Sequence, residues 1–114
     1  MPLLRIQTNR PIAAEQRPAL AARASALVSE LLGKPERYVM VALEPARDML
    51  FGGSDAPLAY MELKSIGLPD SETAGFSQAL CQLAQQELGV AAERVYIEFV
   101  DAPRKMWGWN GGTF

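Results

Sequence analysis

Two stretches of the chain repeat one another, and the repeat restricts the folds available to it. Gly33 followed by Glu36-Arg37-Tyr38-Val39 recurs as Gly89 followed by Glu93-Arg94-Val95-Tyr96, and Pro57-Leu58 opens the second half much as Pro2-Leu3 opens the first. Each half reads as strand, helix, strand. Leu4 and Ile6 alternate with Arg5 and Gln7, so the first residues form a strand. A helix follows from about Ala14 to Leu32, with Leu20, Ala24, Leu27, Val28 and Leu31 on one face. Pro18 is tolerable in its first turn, and Gly33 is the expected stop. Tyr38–Leu43 is a continuous apolar run of strand length, the pattern of a strand buried on both faces.

In the second half, Ala59, Met61 and Leu63 alternate with Tyr60, Glu62 and Lys64 within a strand spanning Leu58 to Ile66. Asp70 or Ser71 can cap a second helix whose apolar face is Phe76, Leu80, Leu83 and Ala84, with Gly89 as its stop. Val95 to Val100 is the final long strand. Glu44 to Asp55 reads as a loop, and the tail from Met106 to Phe114 is rich in tryptophan and glycine. The fold class this predicts is α/β (α+β): duplicated β-α-β units building a four-stranded mixed sheet. Right-handed crossovers put both helices on one sheet face. The bare face then needs cover, and another subunit is the simplest one. A single domain over 1–114 fits the length.

Composition removes several chemistries. The chain has no histidine, which excludes imidazole-based triads and histidine metal sites, and a single cysteine, Cys81, which excludes an internal disulfide or Cys-x-x-Cys pair. Cys81 lies within the second helix and reads as a small buried residue. A net charge of −2 argues against nucleic acid as the main partner. No apolar run approaches the roughly 18 residues that span a bilayer, and no signal-peptide pattern is visible. The cytoplasm is the expected compartment, with leaderless export left open. No phosphate-cradling or dinucleotide motif is present. Catalysis must use carboxylates, lysine, arginine, tyrosine or a terminal amine.

Met1-Pro2 bears on the last option. A small second residue usually permits removal of Met1, leaving Pro2 as a secondary amine at a strand start. An α-amino group titrates near about 7.7–8.0, and burial or a nearby cation lowers this toward the range of a general base. On the residues alone the alternative stands that Pro2 merely begins an edge strand. Lys34 has two readings as well, a cation complementing a helix C-terminus or a functional charge.

Met1-Pro2 with Thr8-Asn9, Gly33-Lys34-Pro35, Phe51-Gly52-Gly53-Ser54, Ser65-Ile66-Gly67, Arg94-Val95-Tyr96-Ile97 and Gly108-Trp109-Asn110 with Thr113-Phe114 resemble the macrophage migration inhibitory factor family of the tautomerase superfamily. The resemblance spans essentially the whole chain. It implies a homotrimer with active sites between subunits, and keto-enol tautomerisation of small aromatic keto acids, phenylpyruvate-like or dopachrome-like, without cofactor or metal. Pro2 would be the general base. Lys34 would bind the substrate carboxylate, the Ile66 backbone would add a contact, and Tyr96 would arrive from the neighbouring subunit. Trp109 and Phe114 would stand near the mouth.

The chain departs from the family pattern at several positions. Glu98 replaces a neutral asparagine and Trp107 replaces a valine, and both are counted among the substrate-contacting positions. Leu58 and Met61 stand where animal members carry redox cysteines, and Ile12 and Ala46 stand where they carry receptor-binding charges. The alternative function is a cytokine-like or protein-interaction homologue with a vestigial pocket.

Overall fold

The computed structural model describes residues 1–114. Its main sheet contains β1 (Leu3–Thr8), β2 (Met40–Glu44), β3 (Ala59–Ile66) and β4 (Val95–Ala102), in the order β2-β1-β3-β4. β1 runs parallel to β2, with Leu3 beside Met40, and β3 runs parallel to β4, with Ala59 beside Val95. The seam between halves is antiparallel, from Leu3 beside Lys64 to Thr8 beside Ala59. Two β-α-β units joined along an antiparallel seam make the sheet mixed, as the repeat requires.

Helix α1 (Arg17–Leu32) and helix α2 (Thr73–Leu88) are the two crossovers. α1 buries Leu20, Ala24 and Val28, while α2 buries Phe76, Leu80, Leu83, Ala84 and Leu88. They meet Leu4, Ile6, Met61 and Leu63 of the central strands in one core. Truncating a fully buried member such as Leu80 to alanine costs about 2–5 kcal/mol, because the cavity collapses only in part. Gly33 and Gly89 end the helices in the left-handed conformation, at φ 62° and 66°, where an L side chain is strained. No helix is long and apolar enough to cross a membrane.

Several sequence expectations need correction. α1 is preceded by a short 3-10 turn at Ala14–Gln16, so the α-helix itself begins at Arg17. Neither Asp70 nor Ser71 caps α2 through its side chain. They belong to a 3-10 turn, Asp70–Glu72, whose Asp70 carbonyl accepts from the Thr73 hydroxyl at 3.0 Å. Cys81 is half-buried, because it lies off the Phe76–Leu80–Leu83–Ala84 stripe.

The segment 38–43 departs furthest. Tyr38 belongs to a 3-10 turn, the strand begins at Met40, and β2 is half-buried rather than buried on both faces. It is an edge strand, with helices on one side only. The uncovered sheet face is also polar at its centre. Arg5 pairs with both Glu44 and Glu62, Lys64 approaches Glu62 at 3.5 Å, and Gln7 donates to Glu44 at 3.2 Å.

The tail forms a small hairpin of β5 (Gly108–Trp109) and β6 (Gly112–Thr113). Its turn residues, Asn110 and Gly111, have φ 52° and 79°, as a tight Asn-Gly hairpin turn demands.

Candidate active site

The start of β1, the segment after α1 and the C-terminal hairpin converge on one cavity of about 270 Å³. Pro2 forms part of its wall and is fully buried, and its carbonyl accepts from the Met40 amide at 2.9 Å, so the first residues are fixed. Tyr38, Trp107, Trp109 and Phe114 supply aromatic surface, and Arg37 supplies a cation. The hairpin holds these rings in place. Phe114 N donates to Trp107 O at 3.2 Å, Trp109 stacks on Phe114 with centroids 5.3 Å apart, and Tyr38 meets Trp109 edge-on at 6.1 Å. Such a volume is near the lower end for ligand pockets and suits one aromatic ring with a short polar tail.

Lys34 is set by the end of α1. Its amide donates to Ser29 O at 3.2 Å, and the Ser29 hydroxyl donates to its carbonyl at 2.6 Å. From there its ammonium donates to the Ile66 carbonyl at 3.2 Å. The amine at the chain start has a pKa below its ordinary value, first because burial disfavours the charged form, then because Lys34 and Arg104 repel it. That amine is Met1's, and burial beside two cations would act in the same direction on a Pro2 amine exposed by removal of Met1.

Tyr96 and Glu98 are not part of this cavity. Both lie on the outward face of β4, and both are exposed. Tyr96 packs on Phe51, centroids 4.6 Å apart, beside a separate apolar cavity of about 250 Å³. Glu98 accepts from the Tyr60 hydroxyl at 3.1 Å. The Tyr60 pKa is raised, first by burial and then by this carboxylate. Of the candidate residues, one chain therefore gathers Pro2, Trp107, Trp109 and Phe114, with Lys34 and Ile66 bonded beside them. No cluster of three or more histidine, cysteine, aspartate or glutamate side chains is placed to hold a metal ion.

Comparison with known proteins agrees with this fold. The family model described as macrophage migration inhibitory factor (MIF) matches residues 1–114. The chain belongs to the MIF family. It is 38% identical to a macrophage migration inhibitory factor homolog of Brugia malayi, over all of this chain and 99% of that one. Among solved structures, it superposes on a MIF homologue from Prochlorococcus marinus with a TM-score of 0.92 and 44% identity, covering 98% of both chains. The Trichinella spiralis MIF structure gives a TM-score of 0.91 at 34% identity, covering 98% of this chain and 99% of that one.

Sequence reasoning missed Arg37, Tyr38 and Arg104 as neighbours of the N-terminus in this MIF-family chain. A signal existed for the first two, since they lie within four residues of Lys34. Arg104 had none, because only the turn Arg104–Met106 brings it back toward Met1.

Proposed function

We propose that this MIF-family protein is a keto-enol tautomerase of small aromatic keto acids, phenylpyruvate-like or dopachrome-like, with Pro2 as general base after removal of Met1. The observation that carries this reading is a fixed Pro2 in an aromatic-walled cavity beside Lys34. The ring of a keto acid occupies the aromatic wall, and its carboxylate meets the Lys34 ammonium. The Pro2 nitrogen takes the proton from the carbon next to the carbonyl. The electron pair of that C–H bond becomes the C=C π bond, the C=O π pair moves onto oxygen, and that oxygen takes the proton back from the Pro2 ammonium to become the enol hydroxyl, leaving Pro2 neutral. The reverse sequence restores the ketone. Acid–base catalysis of this type contributes about 10²–10⁴-fold when the base is matched to the working pH.

We attach a homotrimer to this reading. The exposed large apolar side chains form two unlike patches. Met40, Met106 and Trp109 are 66%, 77% and 54% exposed near the Pro2 cavity, and Leu50 and Tyr96 are 70% and 66% exposed near the other. Unlike patches favour head-to-tail contacts, which close into a ring. Such a ring would carry Tyr96 and Glu98 of one subunit to the Pro2 cavity of the next. The remaining features of the reading are a cytoplasmic setting, a single domain, and no nucleic-acid or membrane partner.

Ultraviolet monitoring of phenylpyruvate enol, with protein confirmed by mass to lack Met1, tests the proposal. Conversion well above the buffer rate is expected. Conversion at the buffer rate would overturn the enzyme reading and leave the protein-interaction alternative.

A further inference from the structure

The eleven lysines and arginines of the chain divide by what they contact. Arg5, Arg23, Arg47 and Lys64 pair with carboxylates. Arg10, Arg17, Lys34 and Arg94 donate to main-chain carbonyls. Arg37, Arg104 and Lys105 do neither. Arg37 lines the Pro2 cavity, and Arg104 is close enough to the N-terminal amine to repel it. No aspartate or glutamate side chain lines that cavity. In a chain of net charge −2, two of the three unpaired cations, Arg37 and Arg104, lie near the candidate base.

The internal repeat sharpens the contrast. Arg37 and Arg94 occupy the same place in the repeated Glu-Arg motif. Arg94 is consumed by structure, donating to the carbonyls of Phe51, Ser54 and Ala56 at 2.9, 3.0 and 2.9 Å, and to Pro57 at 3.4 Å. These carbonyls precede β3. The corresponding place before β1 is the cavity wall of Met1 and Pro2. Arg37 clamps no loop there, and its guanidinium lies over the Tyr38 ring at 4.8 Å. That stacking leaves its planar fork of N–H donors available for a carboxylate or similar oxyanion.

We propose that Arg37 is a specificity-determining residue of the Pro2 cavity, and that the substrate class is dianionic: an aromatic keto acid with a second anionic group on its ring, held by Arg37. The inference rests on the Pro2 cavity being the substrate site. Lys34 takes the keto-acid carboxylate, and Arg37 takes the ring substituent.

The test measures binding, so it does not depend on turnover. Calorimetry on protein lacking Met1 compares the dianion 4-carboxyphenylacetate with the monoanion phenylacetate. The dianion is expected to bind about tenfold more tightly, the scale of one charge-assisted hydrogen bond in a partly dry site. Arg37→Gln should abolish that preference, and Arg47→Gln, which removes a cation outside the cavity, should leave it intact. The preference should also shrink as salt is raised. Equal affinities in the wild type, or a preference surviving Arg37→Gln, would overturn the assignment. Phenylpyruvate turnover with no dianion preference would defeat this inference alone. A dianion preference without turnover would support it while removing the tautomerase reading.

Discussion

The Lys34 ammonium donates to the main-chain oxygen of Ile66 across 3.2 Å, tying the second residue after α1 to the last residue of β3. The bond engages one of three ammonium donors, leaving charge and two donors for a ligand. It also fixes a long side chain that would otherwise lose rotamer freedom on binding. The family resemblance assigned a substrate role to Lys34 and to the Ile66 backbone separately, and the structure joins them directly.

Lys34→Met should remove the carboxylate partner while keeping the chain length. KM for phenylpyruvate is expected to rise about 10-fold or more, in line with loss of a charge-assisted hydrogen bond. The acidic limb of kcat/KM should move to higher pH, because a neighbouring cation lowers the pKa of an amine base, as Lys34 does for the Met1 amine, and its removal relaxes that shift. A rise in KM with an unmoved acidic limb would show that burial alone depresses the base.

Arg94→Ala should destabilise the protein by about 1.5–3 kcal/mol, the cost of losing charge-assisted hydrogen bonds to a segment with no substitute donor. Arg94→Lys should recover only part of this, since one ammonium cannot reproduce the spread of the guanidinium fork. Denaturant melts of the two variants test this order. In the trimer reading the same changes loosen the Phe51–Tyr96 pair and weaken assembly. Full stability in Arg94→Ala would contradict the clamp.

The different fates of Arg37 and Arg94 show where the sequence stops being legible. Their motifs are nearly the same, and local pattern cannot tell which arginine has a loop to hold. Period-2 alternation placed Ala59, Met61 and Leu63 correctly, because one buried sheet face enforces it. Gly33 and Gly89 marked both helix ends for a backbone reason. The apolar run at 38–43 did not reveal where its strand starts, since Tyr38 is taken by a 3-10 turn, and in one chain the edge strand β2 is only half-buried. Asn110-Gly111 was a usable hairpin signal in the tail that went unread. The separation of Tyr96 and Glu98 from Pro2 follows from the strand order, which puts β4 at the far edge from β2.

Acid should weaken the fold through Glu44. Hydrogen bonds from Arg5 and Gln7 hold its carboxyl down at about 2, below the ordinary carboxylate value. A depressed folded pKa contributes stability above the unfolded pKa, and that contribution is lost as pH falls through the folded value. Thermal melts should therefore lose Tm between about pH 4.5 and 2. Glu44→Gln should lower Tm at pH 7 and flatten this acid limb. An unchanged limb in the variant would place the acid sensitivity in other carboxylates.

The form of the N-terminus tests the central claim most directly. With Met1 attached, the Pro2 nitrogen is a tertiary amide without a usable lone pair, while the added residue lies at a strand end and leaves the fold intact. The measurement is the phenylpyruvate tautomerisation rate of protein lacking Met1 against protein with Met1 locked in place, both forms verified by mass and by matching thermal melts. The account predicts turnover in the first and only the buffer rate in the second. Equal rates above buffer in the two forms would contradict it, because Pro2 could not then be the base.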